Sequence, residues 1–108
     1  MVRESVRGIV TAYVETLLRN RIRVTQAILF GSCARGEVDD ESDIDIAIIS
    51  PDLGRDRLKE GVMLKLLTEQ IDTSLSPRPY SPEEVKQSSK GTFLYDEILS
   101  KGVVVYPA

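Results

Sequence analysis

The chain has 108 residues, 42% hydrophobic and 29% charged, which is one domain's length, enough for a core without disulfide staples, and too apolar for disorder. Lys and Arg number 14 against 17 Asp and Glu, a net charge of −3, so the broad basic surface of a general nucleic-acid binder is missing. One cysteine and no histidine exclude an internal disulfide, His-based zinc sites and Ser-His or Cys-His triads.

Val2, Val6, Ile9, Val10, Tyr13, Val14, Leu17 and Leu18 recur at three- and four-residue spacing and predict a first helix. Arg3, Arg7 and Arg19 lie elsewhere on its surface. Ala27-Ile28-Leu29-Phe30 is a short apolar run that stops at Gly31, and predicts a buried strand. A polar stretch follows with Gly36, Glu37, Asp39, Asp40 and Glu41. Ile44-Asp45-Ile46-Ala47-Ile48-Ile49 is β-branched and predicts a second strand, ended by a turn over 50–54. Leu58, Val62, Met63, Leu66 and Leu67 predict the apolar stripe of a second helix. Ile71 to Leu75 predicts a third strand, ended by Pro77 and Pro79. Ser81-Pro82-Glu83-Glu84 has the form of a helix start. Phe93, Leu94, Ile98 and Leu99 predict another helix, ended by Gly102 as a C-cap. Val103 to Tyr106 is the last predicted strand.

This order predicts an α/β (α+β) fold, a small mixed sheet flanked by helices, as one domain over 1–108. No apolar run approaches the roughly 20 residues of a membrane span. The N-terminus lacks the apolar segment of a signal peptide. The expectation is a cytoplasmic protein with no membrane association.

Asp43 and Asp45 are two apart at the start of a predicted strand, so their carboxylates share one face. Ile44, Ile46 and Ile48 then share the other, the expected core face. Two like charges side by side repel, and a divalent cation between them removes that penalty. Carboxylate oxygens suit magnesium, which typically takes one or two carboxylates plus substrate phosphates. A lone D-x-D is nonetheless usually a solvated acidic turn. Gly31-Ser32 after a strand allows backbone N–H groups to approach a phosphate, with Ser32 adding a hydroxyl and Arg35 a cation. Alone, that pair is more often a simple turn. A Walker A loop is excluded, because Glu37 and Val38 stand where Lys and Ser or Thr are needed. An EF-hand fails at Ile44 and Ser50. The four tyrosines have no basic interleaving, so they make no platform for single-stranded nucleic acid.

Together the parts are more specific. Gly31-Ser32, ten residues, then Asp43-x-Asp45, flanked by two strands, resembles the signature of the DNA polymerase β-like nucleotidyltransferase superfamily. The runs Gly-Ser-Cys-Ala-Arg-Gly-Glu at 31–37 and Ser-Asp-Ile-Asp-Ile at 42–46 are most similar to the minimal nucleotidyltransferases of bacteria and archaea. The resemblance covers nearly the whole chain. It implies that Gly31 and Ser32 hold the triphosphate of a nucleotide and that Asp43 and Asp45 ligate two magnesium ions. The family's third carboxylate, on a later strand, is matched here by Asp72. Arg35 either touches phosphate or pairs with a nearby acid such as Glu37. Cys33 is expected to be a small filler within the motif.

The implied reaction moves a nucleoside monophosphate, AMP from ATP, onto an acceptor hydroxyl by two-metal in-line transfer. Asp72 would be the third metal ligand, near the attacking hydroxyl, and would help to deprotonate or orient it. Such a short chain leaves no room for an acceptor domain. The resemblance therefore implies a HEPN-domain partner whose tyrosine is modified, and the role of an antitoxin. The apolar or arginine-rich face of the first helix and the Val105-Tyr106 tail are candidate contact surfaces, although surface arginines on a helix are ordinarily just solvated. Two alternatives stay open: a non-catalytic antitoxin or binding module of the same fold, and the catalytic subunit of a small-molecule nucleotidyltransferase. Homo-oligomerisation is also left open.

Overall fold

Helix α1, Glu4–Arg19, carries an acid in its first turn and a base in its last, which suits the helix dipole. Its apolar stripe buries Val6, Val10, Tyr13, Val14 and Leu17. The computed structural model describes residues 4–34 and 43–107. Four strands follow: β1 (Gln26–Leu29), β2 (Ile44–Ile49), β3 (Leu75–Tyr80) and β4 (Val103–Tyr106). They form one mixed sheet in the order β3-β2-β1-β4. β1 runs antiparallel to both β2 and β4, and β2 runs parallel to β3. The parallel pair is joined through α2, Arg57–Leu67, the crossover that parallel strands require.

The strand period divides the core in two. Ile44, Ile46 and Ile48 pack with Leu75 against α1 and Leu64 of α2. On the opposite face Ala47 and Ile49 pack with Ile28, Phe30, Tyr80, Leu94 and Ile98. Leu94 and Ile98 come from a π-helical segment, Leu94–Leu99. Between β3 and that segment lies the short helix α3, Pro82–Gln87, closed by a Ser81/Glu84 capping box. Tyr13 joins the two longer helices. Its hydroxyl donates to the Leu64 carbonyl at 2.7 Å, and burial raises the pKa of the phenol.

Three sequence expectations need correction. The third strand is Leu75–Tyr80, so it begins where the expected one ends and contains both prolines. The carbonyls of Ser74 and Tyr80 accept from Ile44 and Ser50, so even-numbered residues of β3 turn their backbone groups to β2. Pro77 and Pro79 therefore face the open edge, where no N–H is needed and further pairing is blocked. The stripe on α2 is only partly a core face. Leu64 is fully buried, whereas Leu58, Val62 and Leu66 are exposed in a row. Gly102 does not have a left-handed backbone. It is required for space, since a β-carbon there would run into the Ile98 and Leu29 carbonyl oxygens and Ile28. The acidic stretch with Gly36, Glu37, Asp39, Asp40 and Glu41 lies outside the described residues, as do Val2 and Arg3.

Leu64→Ala is expected to cost about 2–5 kcal/mol of stability through lost burial and a cavity. Leu58→Ala is expected to stay within about 0.5 kcal/mol. Urea unfolding of the two variants checks this, and equal losses would mean that α2 is rotated from this placement.

Candidate active site

The site begins where β1 stops. Phe30 is extended, with its N–H donating to the Asp45 carbonyl at 3.1 Å. Gly31 then turns left-handed, at φ 69°. A β-carbon on Gly31 would lie 2.6 Å from Asp45 Oδ2. Any other residue is thus opposed twice, by conformation and by space. Glycine brings this backbone directly against a carboxylate on the neighbouring strand. Gly31–Cys33 forms one turn of 3-10 helix. Ser32 is half-buried there, and Cys33 is buried with its thiol 3.5 Å from the Asp43 carbonyl. The turn is therefore packed onto the entry of β2.

Asp43 stands exposed just before β2, and Asp45 is half-buried on it. Burial raises the pKa of Asp45, the Asp43 charge raises it further, and Arg78 opposes both. The repulsion expected between the two acids is thus present. Two neighbouring carboxylates offer the oxygen donors that a hard cation such as magnesium takes. Among the described residues, no group of three or more acids, cysteines or histidines could hold a metal ion.

Asp72 comes from outside β2. It sits in the turn ahead of β3, where its carboxylate accepts from the Ser74 N–H at 2.8 Å and the Ser74 hydroxyl at 2.5 Å. Those bonds, the hydroxyl's first, hold its pKa down, and Lys65 adds to the effect. The residue beside Asp45 in register on β3 is Ser76, and Arg78 lies beside Ala47. No acid occurs on β3 at all. Arg35 lies outside the described residues. So Gly31, Ser32, Asp43 and Asp45 are brought to one place, and Asp72 is not joined to them in a three-acid group.

Sequence reading missed the aromatic and cationic side of this place. Arg78 lies with its guanidinium carbon 4.5 Å from the centre of the Phe93 ring. Phe93 meets Phe30 edge-on at 5.7 Å. Arg57 lies over Tyr80 at 4.9 Å and pairs with Glu84. The only signal in the sequence was an arginine held between two prolines, which says nothing of the Phe93 ring further along the chain until the sheet is built.

The family description "Polymerase beta, Nucleotidyltransferase" matches residues 13–108. A protein of Methanocaldococcus jannaschii, provisionally named a protein adenylyltransferase, is 32% identical over 95 residues, covering 85% of this chain and 87% of its own. A crystal structure of a provisionally named nucleotidyltransferase from Sulfolobus solfataricus has the same fold, with a TM-score of 0.56 at 17% identity over 92% of this chain and 74% of that one.

Because the pKa of Asp45 is raised on folding, its charge opposes folding above that pKa and ceases to do so as pH falls below the unfolded value near 4. Asp45→Asn is therefore expected to melt no lower than the unsubstituted chain at pH 7 in EDTA, and magnesium is expected to raise the melting temperature of the unsubstituted chain alone. Gly31→Ala is expected to melt several degrees lower (about 1 kcal/mol or more of strain). Thermal unfolding checks all three, and a lower-melting Asp45→Asn would give Asp45 a structural role instead.

Proposed function

Since the chain belongs to the polymerase β-like nucleotidyltransferase family, we propose that it transfers AMP from ATP to a hydroxyl of a second protein. The observation that carries this reading is the seating of Gly31 against Asp45. It joins a backbone turn able to take phosphate to a pair of acids able to take a cation. In this reading the N–H groups of the Gly31–Cys33 turn and the Ser32 hydroxyl hold the triphosphate. Asp43 and Asp45 hold magnesium, which when bound neutralises phosphate charge and polarises the α-phosphate. The acceptor oxygen bonds to the α-phosphorus, the bond to pyrophosphate breaks, and the acceptor proton passes to solvent. The protein's share is positioning and charge placement, with no histidine needed. The metal would rest on these two acids, and the Asp72 carboxylate holds the turn into β3 through Ser74.

We further propose that the acceptor is a tyrosine of a helical HEPN-domain toxin, which makes this chain the antitoxin. Two observations support an acceptor on a separate protein. The Methanocaldococcus relative is named for protein adenylylation. The exposed row Leu58, Val62 and Leu66 is the kind of apolar face that a partner covers. One observation favours the other reading, a module that binds without turnover: β3 presents Ser76 and Arg78 and no acid beside Asp45.

The test is incubation with α-phosphate-labelled ATP, magnesium and a HEPN-domain protein from the same genome. Label is expected on the partner, falling to background for Asp43→Asn and Asp45→Asn and largely kept for Asp72→Asn. A tight complex without label would support the binding module. Label on a small molecule alone would overturn the protein acceptor. Label unaffected by both Asp43→Asn and Asp45→Asn would overturn the metal assignment.

A further inference from the structure

An open groove of about 460 Å³ lies along β3, and Arg57, Arg78, Tyr80, Glu84, Thr92 and Phe93 help to line it. Two guanidinium groups face it, in different conditions. Arg57 is paired with Glu84 and covers Tyr80. Arg78 makes no ion pair or hydrogen bond among the described residues, and its one close partner is the ring of Phe93. An aromatic face holds a guanidinium in one plane and leaves its N–H edge free, the edge that takes two oxygens of a phosphate.

The strand geometry sets where that edge is. Asp45 pairs with Ser76 and Ala47 with Arg78, so Asp45, Ser76 and Arg78 share one face of the parallel pair. Adjacent strands lie about 5 Å apart and the next residue along a face about 7 Å on, within reach of an arginine. The charge of Arg78 is felt at Asp45, where it offsets burial and Asp43. Phe93 also touches Phe30, the residue before Gly31. The ring that holds the guanidinium thus packs against the start of the phosphate turn.

We propose that Arg78 grips a phosphate of the bound nucleotide, from the side opposite the Gly31–Cys33 turn, with Phe93 as its positioning residue. The assignment rests on the nucleotidyltransferase reading and adds to it a cation on β3, where the sheet offers no acid. A positive group there neutralises phosphate charge that a two-acid metal site leaves exposed.

The test is calorimetric titration of the full chain with ATP, inorganic tripolyphosphate and adenosine, in EDTA and in magnesium. Arg78 is exposed, so Arg78→Ala is expected to stay folded, with at most a small loss of melting temperature from the less compensated Asp45 charge. It is expected to weaken ATP and tripolyphosphate about tenfold or more, with adenosine unchanged. Arg78→Lys, which keeps charge but loses the planar fork, is expected to fall between. Undiminished ATP binding by Arg78→Ala would overturn the assignment while leaving the nucleotidyltransferase reading intact. An equal loss of adenosine binding would make Arg78 a base contact and overturn it too. No nucleotide binding by the unsubstituted chain, with or without magnesium, would overturn both.

Discussion

The Gly31 backbone lies against the Asp45 carboxylate, with room for a hydrogen and not for a methyl group. Much else is arranged around it. The antiparallel register pairs Leu29 with Ile46, which brings the end of β1 level with Asp45. The Phe30 N–H bond to the Asp45 carbonyl holds that level, and the left-handed turn then carries the chain over the carboxylate. Asp45 keeps its half-buried position because Ile44 and Ile46 on either side are locked into the opposite core. A charged residue in the middle of a sheet is costly unless something compensates it. Here the compensation is partial, from Arg78, and the remaining repulsion suits the site to a cation.

The sheet divides its labour by face. One face takes α1 and α2 and is wholly apolar in its central strand. The other begins apolar near Ile49 and Tyr80 and becomes polar towards Asp45, Ser76 and Arg78. The prolines of β3 belong to the same arrangement. They close the sheet edge without disturbing the inner row of groups that pairs with β2. The polar end of that face is therefore framed by rigid strands, and not by loops alone. Rigid framing is what transfer by positioning requires.

Much of this was legible in the sequence. The stripe of α1, the alternation in β2 and the Ser81–Glu84 start of α3 are local patterns, and they are found where expected. Family membership was legible in the Gly-Ser and Asp-x-Asp spacing. β3 was not, because proline argues against a strand unless its edge position is known, and edge position is a property of the sheet. Nor was the orientation of α2. Its apolar residues lie on two sides, and local periodicity cannot tell which side Tyr13 meets. Asp72 is a candidate by order along the chain, and its bonds to Ser74, two residues away, are visible only in the structure. Arg78 and Phe93 had no local pattern to mark them, since a cation-ring contact between a strand and a later helix exists only after folding.

The central claim is that Gly31, Asp43 and Asp45 make one site for a divalent cation and a nucleotide. Manganese replaces magnesium at oxygen-rich sites and broadens nearby nuclear resonances. Titration of the isotope-labelled chain with manganese and ATP tests the claim most directly. The account predicts that amide signals of Gly31, Ser32, Ile44 and Asp45 disappear first, and that Asp45→Asn abolishes the effect. Broadening centred on the turn at Asp72, or anywhere else with these four signals untouched, would contradict it.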